Sequence, residues 1–254
     1  MRPEVAPLSQ FLRLRFAARS PFWSRLVFER IGGLIAYACA RLGVRPNAVT
    51  PVGGACGVAG AVLLGAATTP RRALAGGLLL ALAYCLDCAD GQLARATGSA
   101  TAAGAWLDVT VDAVVTSFVA VSVSVALLSN GVGPTGSLLA AAAFGASRTA
   151  VLLTASQVRS DGGGLRLDGR QEILRTVFLA IVDTPFIYVV LTVTRFSPVG
   201  LLAVLLLLTV LSAVQVAVSA RAHFAPVAIS EPERPAEVQP APVELPAGNG
   251  PDRS

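Results

Sequence analysis

Residues 87–112 read DCADGQLARATGSATAAGAWLDVTVD, and this stretch decides how the rest of the chain is read. Four aspartates, Asp87, Asp90, Asp108 and Asp112, lie here among residues apolar enough to sit in a lipid bilayer. A carboxylate near the middle of a membrane costs about 2.5–3.5 kcal/mol on the mildest insertion scale, so the group needs compensating positive charge. Two divalent metal ions would cancel it. At about 100° per residue, Asp87, Asp90, Gly91, Ala94 and Arg95 follow i, i+3, i+4, i+7, i+8 and share one helix face. Gly104, Asp108 and Asp112 share a face of the next helix at i, i+4, i+8. Thr97-Gly98-Ser99 is the predicted turn between them, and it brings Asp90 and Asp108 to similar depth in a tight hairpin.

The ligand type sets the metal preference. An all-oxygen carboxylate set suits hard cations, Mg²⁺ or Mn²⁺ with Ca²⁺ as competitor. Two such ions about 4 Å apart clamp a diphosphate and stabilise the attacking and leaving oxygens of an in-line displacement. Gly91 and Ala94 are small and lie on the carboxylate face, which leaves room for a substrate head group. Arg95, at the turn end, supplies a fixed positive charge suited to phosphate.

The remaining sequence places this hairpin in a membrane. Hydrophobic residues make up 54% and charged residues 14% of the chain, and mean hydropathy is +0.67, outside the usual range of a soluble domain. Crossing about 30 Å of hydrocarbon takes about 20 apolar residues, and such windows occur at 47–68, 72–96, 100–128, 134–158, 170–194 and 198–221. The expected fold is therefore all-α, an integral membrane bundle of six transmembrane helices (46–222). The chain has no lysine, so orientation rests on its 20 arginines. With the N-terminus in the cytosol, only Arg71, Arg72 and Arg195 fall in loops on the opposite side, in keeping with the positive-inside rule. Both termini and the mouth of the aspartate site then face the cytosol. Lysine-free, Ala- and Arg-rich usage reflects a GC-rich genome, so the basic balance is no sign of nucleic-acid binding. The expected location is a bacterial cell membrane.

The pattern Asp87, Asp90, Gly91, Ala94, Arg95, Gly104, Asp108, Asp112 resembles the full signature of the CDP-alcohol phosphotransferase family. These are integral membrane enzymes that displace CMP from a CDP-linked alcohol. Arg45-Pro46-Asn47-Ala48-Val49-Thr50 is similar to the Pro-Asn-x-x-Thr opening of that family's first membrane helix. The resemblance spans roughly residues 22–221, with these two patches carrying it. It implies that Asp87, Asp90 and Asp108 are metal ligands. Asp112 is implied as the base for an acceptor hydroxyl and as a further group against the metals. Asn47 and Thr50 are implied in the nucleotide pocket, and Gly91, Ala94, Arg95 and Gly104 in the substrate site. Two divalent cations, Mg²⁺ or Mn²⁺, a CDP-alcohol donor such as CDP-diacylglycerol, an acceptor alcohol and a homodimer follow from the same resemblance. The implied activity is transfer of a substituted phosphate, by default phosphatidyl, with release of CMP in phospholipid biosynthesis. His223, the single histidine, lies after the last apolar run, which argues against imidazole catalysis.

Rival readings differ in what they require. A soluble CDP-alcohol donor stays open. A membrane prenyltransferase also uses acidic motifs and Mg²⁺, but its motifs lie far apart in a longer bundle. A non-catalytic cation-binding membrane protein has no use for the Gly-x-x-Ala-Arg element or the Pro-Asn-x-x-Thr patch.

Flanking segments carry weaker signals. Ser20-Pro21 starts an amphipathic helix (20–45) expected to lie in the cytosolic interface, after a basic leader (1–19). Arg159, Arg166, Arg170 and Arg175 flank a glycine-rich loop; they read either as an acceptor-phosphate pocket or as ordinary positive-inside charge. Arg148, inside an apolar span, joins them as a candidate phosphate ligand and demands a polar cavity or a partner. Asp183 invites the same demand. Cys85 and Cys88 form C-x-x-C without a second soft pair, and read as small buried hydrophobes. Residues 226–254 are Pro-rich and expected to be a disordered tail.

Overall fold

The computed structural model describes residues 7–13, 22–160 and 178–224, with side chains to residue 12, from 22 to 154 and from 178 to 221. Every described element is helical. Helix α1 spans Leu8–Arg13, and a π-helical turn, Ser24–Phe28, leads into α2, Glu29–Leu42. Then follow α3 (Pro46–Gly65), α4 (Pro70–Ala96), α5 (Ala102–Ser129), α6 (Pro134–Ser160), α7 (Thr184–Thr194) and α8 (Pro198–Phe224).

Local chemistry explains the boundaries. Proline opens α3, α4, α6 and α8, where its fixed φ suits the first turn and its missing N–H costs nothing. Thr101 caps α5 by accepting from the Gly104 N–H at 3.0 Å, and Ser197 caps α8 by accepting from Gly200 N–H at 3.1 Å. Gly98 makes the α4–α5 turn at φ 63°, in the left-handed region that glycine enters freely.

Among the described residues, five helices are long and apolar enough to cross a bilayer: α3, α4, α5, α6 over Pro134–Thr154, and α8 over Pro198–Arg221. Their limits match the predicted spans to within a few residues. The remaining expected span, 170–194, lies partly outside the described residues, and what is described departs from one continuous helix. A helical turn closes with Val182 N–H on Phe178 O, Asp183 is extended at φ −63° and ψ 130°, and α7 restarts at Thr184. Pro185 is the cause: it has no N–H, and inside a continuous helix its ring would meet the carbonyl of Ile181. The leader and the tail lie mostly outside the described residues.

Within the bundle α3 packs on α4 and α5, α2 lies along α4, α5 meets α6, and α7 returns to α4. Helices α3 and α4 cross with backbones in contact. A Cβ on Gly60 would stand 2.8 Å from Leu80 N, and one on Gly76 would stand 2.7 Å from Leu64 N. Small residues allow this approach, which dispersion rewards where lipid supplies no hydrophobic drive. Ala61, Leu64, Leu80, Val119, Leu127, Phe144, Leu191 and Leu205 build the apolar core on the side away from the Gly98 turn. Closer to that turn a second cluster gathers Phe11, Ala36, Val49, Ala89 and Leu93.

At the far end Arg195 ties three loops together. Its guanidinium donates to Leu64 O at 2.9 Å, Gly65 O at 2.8 Å, Ala67 O at 2.9 Å and Ser129 Oγ at 3.0 Å. Asn130 Nδ2 in turn donates to Arg195 O at 2.7 Å. Carbonyls at a helix C-terminus have no partner within the helix, and this one cation serves the end of α3 while holding the end of α5. Arg195 is 3% exposed, so it is a structural group rather than a loop charge facing water.

Candidate active site

Both acidic motifs converge beside the Gly98 turn. Asp87 and Asp90 come from the C-terminal half of α4 and Asp108 from the N-terminal half of α5, so the hairpin itself makes them neighbours. One carboxylate oxygen from each of the three lies within 4.8 Å of the others. Asp90 is buried, while Asp87 and Asp108 are half-buried. Asp112, one turn beyond Asp108, is close enough for its charge to act on Asp87. At an effective dielectric of about 20, two unit charges at this separation repel by about 3.5 kcal/mol, and three such pairs sum to a large penalty. Cations placed among them turn that penalty into attraction. The donor set is oxygen only, and its spacing fits hard divalent cations such as Mg²⁺ or Mn²⁺.

The second sequence patch joins this group. Thr50, on the second turn of α3, donates its hydroxyl proton to Asp90 Oδ2 in a short hydrogen bond, and both residues are buried. Pro46 O stands at 3.4 Å and competes weakly for the same proton. Thr50 therefore orients a carboxylate, a task that the resemblance did not assign to it. Asn47 lies one turn earlier, against α5: a Cβ on Gly104 would stand 3.1 Å from Asn47 Oδ1 and 3.2 Å from Thr101 Oγ1. Glycine at 104 lets that carboxamide sit close against α5. The space over Gly91 is likewise filled, by Arg95, whose Nη1 would be 3.2 Å from a Cβ there. Arg95 is exposed and folds back over its own helix toward the carboxylate face. Ala94 follows on the same helix, half-buried.

The candidate acceptor arginines divide. Arg166, Arg170 and Arg175 lie outside the described residues, as does the side chain of Arg159. Arg148 is described, and it has partners within the protein: Nη1 donates to Val182 O at 3.3 Å and Nη2 to Thr184 Oγ1 at 3.2 Å. Asp183 also has partners, receiving Ser24 N–H on Oδ2 at 2.9 Å and Ser24 Oγ–H on Oδ1 at 2.6 Å. Cys85 and Cys88 are buried free thiols, in line with their reading as small hydrophobes. Motif patterns alone missed Ser24 and Tyr84. Tyr84 stands one turn before Asp87 on α4, and its hydroxyl lies 2.6 Å from Ser24 Oγ. A polar residue one turn from a metal motif inside an apolar helix was the available signal.

Comparison with known proteins places this geometry. The profile of the CDP-alcohol phosphatidyltransferase family matches residues 44–218. A phosphatidylinositol phosphate synthase from Mycobacterium marinum is 33% identical over 189 residues, covering 67% of this chain and 73% of that protein. The Mycobacterium tuberculosis protein of the same name is 37% identical over 95 residues, 37% of this chain and 42% of that one. Among solved structures, M. tuberculosis phosphatidylinositol phosphate synthase with CDP-DAG bound aligns at TM-score 0.56 and 23% identity, over 80% of this chain and 98% of that chain. The same protein in complex with manganese and citrate aligns at TM-score 0.56 and 22% identity, over 78% and 91%. At that identity the structural match establishes a shared fold.

Proposed function

The chain belongs to the CDP-alcohol phosphatidyltransferase family, and from that premise we propose that it transfers the phosphatidyl group of CDP-diacylglycerol to a phosphorylated inositol. The class is not in question: this is a metal-dependent integral membrane enzyme that moves a substituted phosphate from a CDP-alcohol to an acceptor alcohol and releases CMP. One observation carries the assignment of residues. Three carboxylates from the two halves of one hairpin, with ligand atoms within 4.8 Å, are joined by Thr50 and Asn47 from α3 at the same end of the bundle.

Asp87, Asp90 and Asp108 hold the divalent cations, two in number, with Asp112 lying against them. When bound, such ions neutralise the diphosphate and polarise its phosphoryl oxygens. Thr50 keeps Asp90 pointed into the site, so that its ligand geometry exists before substrate arrives. Arg95 offers a guanidinium to the phosphates, and Asn47 with Gly104 borders the nucleotide. Asp112 accepts the proton of the acceptor hydroxyl, whose oxygen attacks the phosphorus bearing the diacylglycerol. A new P–O bond forms, the bond from that phosphorus to the bridging oxygen breaks, and CMP departs with the bonding pair. The exposed apolar flanks of the helices leave room for acyl chains in the surrounding lipid, and the positive-inside bias of the arginines supports an opening of the site toward the cytosol.

The M. marinum relative, whose name states its product and which aligns over most of its length, supports this choice of acceptor. Purified protein incubated with Mn²⁺, CDP-diacylglycerol and inositol 1-phosphate, glycerol 3-phosphate, inositol or serine tests this reading by CMP release and lipid product. The expected result is turnover highest with inositol phosphate and absent in Asp90→Asn. Higher turnover with another alcohol overturns the acceptor, and CMP release unchanged in Asp90→Asn overturns the site.

A further inference from the structure

The helical segment preceding the membrane bundle is fastened to it at a buried point, Ser24. Both donors of Ser24 are spent on the two oxygens of Asp183, N–H to Oδ2 at 2.9 Å and hydroxyl to Oδ1 at 2.6 Å. Tyr84 Oη lies 2.6 Å from the same serine oxygen. An ionised carboxylate only accepts, so the Ser24 proton is committed to Asp183 and Tyr84 is the donor of the second bond. The chain of donation runs from Tyr84 through Ser24 to Asp183. Ser24 is 2% exposed and Asp183 3%, so water does not substitute for these bonds.

Neighbouring contacts brace the same point. Trp23 stacks on Phe186 with centroids 6.4 Å apart and planes 5° from parallel, and Phe28 meets the Tyr84 ring edge-on at 5.4 Å. Arg148, reaching from α6, is bonded to Val182 O and Thr184 Oγ1, the residues on either side of Asp183. A half-buried cation thus stands beside the buried anion, bonded to the residues on either side of it, which accounts for both charges without giving either a place among the reacting atoms. Ser24 lies in the π-helical turn, a distortion that local packing must hold in place and that is frequent at functional sites.

Beyond this point α2 runs along the back of α4, behind the metal motif. A Cβ on Gly32 would stand 2.7 Å from Cys88 Cβ and 3.1 Å from Ala89 N, the two residues between Asp87 and Asp90. Gln92 Nε2 donates to Glu29 O at 2.8 Å. The aspartate-bearing turn of α4 is therefore held between α2 on one side and Thr50 of α3 on the other.

We propose that Asp183 is a positioning residue for the carboxylate site. Acting through Ser24 and Tyr84, it fixes the start of α2 and the turn of α4 that leads into Asp87, and so sets where Asp87 and Asp90 stand relative to Asp108. This rests on the reading that those carboxylates hold divalent cations. Direct Mn²⁺ binding, measured on purified protein by the electron paramagnetic resonance of free Mn²⁺, tests it alongside thermal unfolding without metal. In Asp183→Asn an amide donor must face one of the two Ser24 donors, and the Kd for Mn²⁺ is expected to rise about tenfold, the size typical of groups that orient ligands. Ser24→Ala and Tyr84→Phe are expected to shift it in the same direction by less, and they carry the test should Asp183→Asn not fold. A purely structural role lowers the unfolding temperature and leaves the Mn²⁺ affinity of the folded protein unchanged, and that result overturns the proposal. Parent protein that binds no Mn²⁺ overturns the metal reading itself, which keeps the two failures apart.

Discussion

Replacing Thr50 by valine removes one hydroxyl and keeps the shape of the side chain. That hydroxyl donates to Asp90 Oδ2, and Thr50 is only 8% exposed and Asp90 5%, so bulk water has little access to repair the loss. A hydrogen bond to a charged group contributes about 1.5–3 kcal/mol. If its whole effect falls on the orientation of one metal ligand, at 1.4 kcal/mol per decade the divalent-cation requirement rises about 10- to 150-fold. The assay is the initial rate of CMP release as a function of Mn²⁺ concentration. Thr50→Val should need far more Mn²⁺ for half-maximal rate and recover much of the parent rate at saturation, whereas Thr50→Ser, which keeps the hydroxyl, should stay near the parent curve. The opposite pattern is informative too. An unchanged Mn²⁺ curve with a raised KM for the CDP donor would mean that Thr50 serves the nucleotide, as the sequence resemblance implied, and that its bond to Asp90 is incidental.

Asp112→Asn should abolish turnover while retaining more CDP-donor binding than Asp87→Asn or Asp90→Asn, as checked by equilibrium binding of labelled donor; parent-like activity would remove the proposed base. Gly104→Leu puts a side chain where Asn47 Oδ1 would be 3.1 Å from its Cβ, and should raise the donor KM about tenfold, or about 1.4 kcal/mol, with the Mn²⁺ requirement little changed. Arg195→Met removes a donor from the Leu64, Gly65 and Ala67 carbonyls, of which Leu64 O keeps the Ala67 N–H; at about 1–3 kcal/mol for each of the two carbonyls that lose their Arg195 donor without that substitute, the loss of stability should reach about 2 kcal/mol or more, read by unfolding in detergent. Chelation with EDTA should stop CMP release and Mn²⁺ should restore it, whereas undiminished release in EDTA would contradict the metal assignment.

Much of the site is legible in the amino-acid sequence, because its logic is local. Helical periodicity places Asp87 and Asp90 on one face and Asp108 and Asp112 on another, and the glycine turn between them leaves few ways to fold the hairpin. The cost of unpaired charge in lipid supplies the metal. The spans around it are legible for a similar reason, since bilayer thickness dictates helix length. Where a single residue breaks the rule, as Pro185 does, the apolar pattern cannot register it: hydropathy averages over a window and a helix break is one peptide wide.

Only the folded chain decides which distant residues meet. Thr50 lies 40 positions from Asp90, Ser24 lies 159 from Asp183, and Arg195 lies 131 from Leu64, so no pattern of spacing relates them. Arg148, Asp183 and Arg195 are alike in sequence, each a charge within or beside an apolar run. Packing gives Asp183 the polar groups of Ser24, Arg148 the residues flanking Asp183, and Arg195 the carbonyls at the end of α3. The physical reason is that a buried charge must be satisfied by whatever partner the tertiary arrangement delivers, and a linear sequence states the need for that partner without stating its address.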